Sequence, residues 1–191
     1  MLTTLGLFIG CTREQSNRGE EYFKQGEYEK ALAEYNRVLA IKPHDMEVIY
    51  NRGRAYQELG NEAKATEDFK QVLKMDPDHV QAHLSLGNIE FKNGDYEGAF
   101  FEFNKVVKKY RQNSDALMYR GKANFKLGRI GAALRDYDDA IRINPGNGYA
   151  YLYRGALKIN RKRPKDACRD FRQAQGLGVA EADEAIAKYC R

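Results

Sequence analysis

From Tyr28 to Leu39 the chain sets apolar residues at Tyr28, Ala31, Leu32, Tyr35, Val38 and Leu39, with charged and polar residues between them. Spacings of three and four place these side chains on one face of a helix, and such a face needs a neighbour to cover it. The helix is predicted to stop before Pro43, which has no backbone donor to continue it. A shorter stretch, NRGRAYQELG from Asn51 to Gly60, keeps the helical spacing and closes on a glycine suited to the left-handed conformation that ends a helix. Its counterparts precede each longer segment. The chain therefore reads as short helix, glycine turn, longer helix, then a break.

That order recurs with a fixed period. Gly19, Gly53, Gly87, Gly121 and Gly155 lie 34 residues apart, and Gly26, Gly60, Gly94 and Gly128 each follow the first four by seven. Alanines keep step at Ala31, Ala65, Ala99, Ala133 and Ala167, aromatics at Tyr35, Phe69, Phe103, Tyr137 and Phe171, and prolines at Pro43, Pro77 and Pro145. The first glycine and the alanine are small because two helices are expected to cross closely there. One hairpin cannot bury its own apolar face, so successive copies must stack.

The pattern resembles the tetratricopeptide repeat, with its small residue at position 8, Ala at 20, aromatic at 24 and Pro at 32. The resemblance implies an all-α chain: a right-handed α-solenoid of five helix hairpins at 12–45, 46–79, 80–113, 114–147 and 148–181, with a capping helix over 180–191. Departures fall at position 11, where Tyr22 and Tyr56 give way to Glu90, Asn124 and Lys158. The third copy has Arg111 for its proline, and the fifth has Lys162 for its second glycine and Val179 for its proline. Positions 7 and 23 pair a base with an acid in four copies: Arg18 with Glu34, Arg52 with Asp68, Arg120 with Asp136 and Arg154 with Asp170. These are expected as structural ion pairs between the two helices of a hairpin.

Composition alters this picture little. The net charge of +5 arises from 32 basic and 27 acidic residues mixed along the chain, apart from the cluster RKRPK at Arg161–Lys165, and such a dispersed excess predicts no nucleic-acid partner. No stretch reaches the roughly 18 apolar residues of a membrane-spanning helix. His79 and His83 have a metal-binding spacing, but no cysteine or carboxylate cluster completes a site, and His83 stands where other copies carry core residues. Phosphate loops, nucleophile elbows and zinc spacings are absent from the sequence, so neither a metal, a cofactor nor catalysis is expected.

By resemblance, the first helix of each copy lines a concave groove through positions 2, 5, 9, 12 and 13. Here these supply Tyr50, Arg54, Leu84, Asn88, Phe91, Met118, Lys122, Phe125, Tyr149 and Leu152. An aromatic, apolar groove with charges at its margins suits an extended segment or helix of a protein partner. Phe91 and Phe125 either line that groove or replace the missing position 11 aromatics between helices. The family's carboxylate clamp for chaperone C-terminal tails is disfavoured: Asn51 fits, but Ser16, Glu20, Gln81 and Ser85 do not.

Three cysteines remain. In a hairpin turning near Gly178, Cys168 and Cys190 face each other, and the surrounding ACRDFRQAQGLGVAEADEAIAKYC resembles the C-terminal cap of exported members of the family. They form either a disulfide or two buried thiols of a reducing compartment. Cys11 ends LFIGC, whose last four residues resemble the lipobox of bacterial lipoproteins. Residues 1–11 are read either as a truncated signal ending in a lipidated Cys11 or as a frayed leader helix. The leading expectation is a noncatalytic adaptor at a Gram-negative envelope, periplasmic or tied to the outer membrane only through lipid on Cys11. The alternative is a cytosolic scaffold or regulatory subunit. An enzyme or carbohydrate-binding protein using the basic cluster would need a convergent polar site that the sequence does not offer.

Overall fold

The computed structural model describes residues 16–190, which include helices and no strand. Cys11 and the rest of the predicted leader lie outside the described residues. Helix α1 spans 16–24. It is followed by α2 (Tyr28–Ile41), α3 (Met46–Glu58), α4 (Glu62–Met75), α5 (Val80–Lys92), α6 (Tyr96–Lys109), α7 (Ser114–Lys126), α8 (Ile130–Ile143), α9 (Gly148–Asn160), α10 (Pro164–Gly176) and α11 (Glu181–Tyr189). Odd and even helices up to α10 are the first and second members of the five predicted hairpins. The chain forms two compact units that divide within α5, between Ile89 and Glu90.

In the first unit, Ala31, Tyr35, Val38, Val48, Ile49, Ala55, Ala65, Phe69 and Val72 form one core, with Tyr22, Phe23, Tyr50 and Tyr56 at its margin. In the second, Tyr137, Ala133 and Leu157 are joined by Phe125, Ile130, Leu134 and Tyr153. A neighbouring cluster holds Leu152, Phe171, Ala174, Val179 and Ala182. The five aromatics at position 24 are almost fully buried, each burial worth about 1.5–3 kcal/mol. The rings of Tyr35, Phe69, Tyr137 and Phe171 lie against the position 8 glycines of their own hairpins. A β-carbon on Gly53 would stand 2.8 Å from the Phe69 ring, and one on Gly155 2.5 Å from that of Phe171. The glycine is thus required by the approach of the ring, which leaves no room for a methyl group.

Polar residues at the last position of each repeat start the next first helix. The side chains of Asp45, Asn113 and Asn147 accept from the backbone N–H of Val48, Ala116 and Ala150. His79 does the same with Nδ1, 3.1 Å from the Ala82 nitrogen. Each satisfies a donor that the first turn would leave unpaired. The glycine turns between paired helices hold positive φ, and in the fifth hairpin Lys162 adopts the same conformation with φ 56°. A side chain is strained in that region where glycine is not. Beyond α10, Val179 and Ala182 carry α11 onto the last core, and Cys168 and Cys190 are joined by a disulfide with Cα atoms 5.6 Å apart.

Candidate functional site

The arginines of position 7 are held on both sides. Arg52 donates from Nε and Nη2 to the two carboxylate oxygens of Asp68 at 2.9 and 2.7 Å, and from Nη1 to Asn36 at 3.0 Å. Arg120 makes the same fork to Asp136 and reaches back to Asn104 at 2.9 Å. Arg154 forks onto Asp170 and reaches Asp138 at 2.7 Å. Each arginine therefore ties its own second helix to that of the preceding repeat, a link the sequence reading missed. Burial opposes the charge of Arg154, but the bonds to Asp170 and Asp138 outweigh it and hold the guanidinium above its ordinary pKa.

In the first repeat Glu34 is bonded by Arg37, three residues on in the same helix, as Glu102 is by Lys105. A base three residues on stands on the same helix face, within reach of the carboxylate. The signal was present: bases stand at position 26 only where position 23 is glutamate. Arg52, Arg120 and Arg154 are thus each bonded to carboxylates or amides of two other helices of the chain itself.

The predicted partner-facing residues separate into two groups. Met118 and Leu152 are buried, with Leu152 packed in the last core beside Phe171 and Val179, so neither offers surface to a partner. Phe125 packs against the core of Ala133, Tyr137 and Leu157 and fills space between helices. Tyr50 lies against Phe69 and His79, with ring centres 5.6 and 5.2 Å away. Leu84 and Asn88 are half-buried on α5. Tyr149 is the most open of the set, 42% exposed, and stacks on Tyr153.

Two cations of the set rest on aromatic rings. In the first unit the Arg54 guanidinium lies 4.2 Å from the centre of Phe23. In the second, Lys122 Nζ stands 4.6 Å from the centre of Phe91 and 5.1 Å from that of Tyr153. Phe91 also packs edge-on against Tyr96, as Phe23 does against Tyr28. Burial, with Lys126 nearby, lowers the Lys122 pKa, and burial pushes Tyr153 up to about 12. Tyr153 was not singled out from sequence. The local arrangement repeats 68 residues on: Phe23 and Phe91, Tyr28 and Tyr96, Glu34 and Glu102, Asn36 and Asn104, Arg54 and Lys122. A period of two repeats is thus written over the period of one.

His83 is buried and donates from Nε2 to the Pro77 carbonyl at 2.9 Å, so the two histidines cap and pack. Among the described residues no group of three or more His, Cys, Asp or Glu is arranged to hold a metal ion. No helix among them is long and apolar enough to cross a membrane.

Three family models, each described as tetratricopeptide repeat, match residues 20–85, 61–124 and 114–147. No curated protein matches the sequence. Among solved structures, a crystal structure of MamA is 24% identical, covering 90% of this chain and 97% of its own, with a TM-score of 0.71. MamA from Desulfovibrio magneticus RS-1 is 22% identical over 87% of this chain and 94% of its own, with a TM-score of 0.75. A tetratricopeptide repeat protein from Parabacteroides merdae is 26% identical over 93% of this chain and 70% of its own, also with a TM-score of 0.75.

Proposed function

Because the chain belongs to the tetratricopeptide-repeat family, we propose that it is a noncatalytic scaffold whose first-helix faces hold a segment or helix of a protein partner. The observation that carries this reading is the aromatic and cationic surface set by Phe91, Lys122, Tyr149 and Tyr153 on the second unit. Rings that are half covered lose little freedom when a partner covers the rest, which is what makes such residues effective contacts. The ladder arginines are already committed to internal acids, so they add rigidity to that surface and no binding capacity of their own.

The reading places the protein at a bacterial envelope. It is supported by the Cys168–Cys190 disulfide, a bond that persists in oxidising compartments, and by the lipobox-like FIGC ending at Cys11. A photo-crosslinking residue at Tyr149, compared with one at Phe101, which is 59% exposed on α6, tests the binding surface. Partner adducts are expected at Tyr149 and not at Phe101. Equal adducts at both sites would overturn it. Fractionation of cells carrying the chain or its Cys11→Ser form tests the anchor, with loss from the membrane fraction expected only for the serine form.

A further inference from the structure

Four half-buried cations, Arg52, Arg120, Arg154 and Lys158, contact buried aspartates. Arg54 and Lys122 differ. Both are half-buried, both sit on rings, and neither has an ion pair among the described residues. A cation partly removed from water without a counter-charge costs free energy that an incoming anion recovers. Contact with the rings fixes the cation in place and recovers part of that cost, about 0.5–2 kcal/mol each. No carboxylate among the described residues forms an ion pair with either cation.

Resting on the proposed scaffold function, we infer that Arg54 and Lys122 are carboxylate-reading contacts for an acidic, apolar segment of a protein partner. An Asp or Glu side chain of that segment meets the cation, and its apolar neighbours lie on the adjacent rings. Three features specify this occupant. The contact is cationic, and Lys126 one turn beyond Lys122 adds a second positive charge resting on Tyr96. The charge is bordered by Phe91, Tyr153 and Tyr149 in the second unit and by Phe23 in the first, so the segment carries apolar groups beside its acids. The arrangement occurs once in each unit, and each is read by itself: a side-chain carboxylate against Arg54 in the first and against Lys122 in the second.

The test is fluorescence anisotropy on the full chain with three labelled peptides. The first alternates Glu with Leu and Tyr and is C-terminally amidated; the second replaces every Glu with Gln; the third is the Gln peptide with a free C-terminal carboxylate. The acidic peptide is expected to bind at least tenfold more tightly than its amidated Gln counterpart, as charged hydrogen bonds require. In Arg54→Gln/Lys122→Gln that preference disappears, with helicity unchanged by circular dichroism. The Glu and Gln comparison on the unmodified chain stands even where that variant misfolds. Equal binding of Glu and Gln peptides, weakened by a Phe91→Ala change, would overturn the carboxylate contact and leave the groove reading in place. Equal binding that is indifferent to Phe91 would overturn both. Absence of binding by the acidic peptide would overturn the inference, as would tightest binding by the Gln peptide with a free terminus.

Discussion

Replacing the ladder arginines one at a time with methionine is expected to destabilise the protein in the order Arg52, Arg120, Arg154. Methionine keeps much of the length and helix propensity of arginine and removes its charge and donors. The acids left behind are equally buried, with side-chain exposures of 3% for Asp68 and 6% for both Asp136 and Asp170. What differs is the remaining company. Asp68 is bonded among the described residues by Arg52 alone, so Arg52→Met strands a buried carboxylate, at a cost of about 3 kcal/mol, the lower end for a broken buried pair. Asp136 keeps a hydrogen bond from Asn124 Nδ2 at 2.9 Å, which reduces the expected loss to about 2 kcal/mol. Asp170 keeps the Lys158 ammonium at 2.7 Å, and Asp138 is exposed, leaving about 1 kcal/mol. Urea unfolding followed by circular dichroism measures all three. Arg52→Met/Asp68→Leu serves as the control, since removing both charges is expected to recover most of the loss. Equal losses in the three variants, or a double variant as unstable as Arg52→Met, would refute the reasoning.

Two further outcomes are expected. Lys162→Gly stabilises by up to about 1 kcal/mol, because glycine removes the strain of a side chain at φ 56°, and a rise in the urea midpoint checks it. Reduction of the Cys168–Cys190 bond lowers stability by about 3 kcal/mol, the chain-entropy value for a closed loop with a sequence separation of 22, read from unfolding with and without a non-thiol reductant.

Much of the architecture was legible because it rests on local spacing. The 34-residue register carries the helices and breaks, and the pairing of Gly53 with Phe69 or Gly155 with Phe171 is a consequence of two small-and-large positions sixteen apart. The arginine to aspartate contacts were legible for the same reason, since no base stands three residues on from Asp68, Asp136 or Asp170 to compete. Glu34 has the local option of Arg37, three residues on in its own helix, which the register of positions 7 and 23 does not show.

The remaining features depended on reach between elements. Sequence alone left Phe91 and Phe125 equivalent, both at position 12. In the structure Phe125 fills the core around Tyr137 while Phe91 lies against Tyr96 and Lys122. The backward bonds of Arg52, Arg120 and Arg154 to Asn36, Asn104 and Asp138 likewise join repeats through side chains that no pattern within one repeat reveals. By itself the sequence determined the repeat, its helices, its breaks and its tetratricopeptide family, because these follow from periodicity and backbone preference. Only the tertiary structure decided which cations are spent on internal acids and which stand against rings, because that depends on side-chain length and on what the neighbouring helix presents.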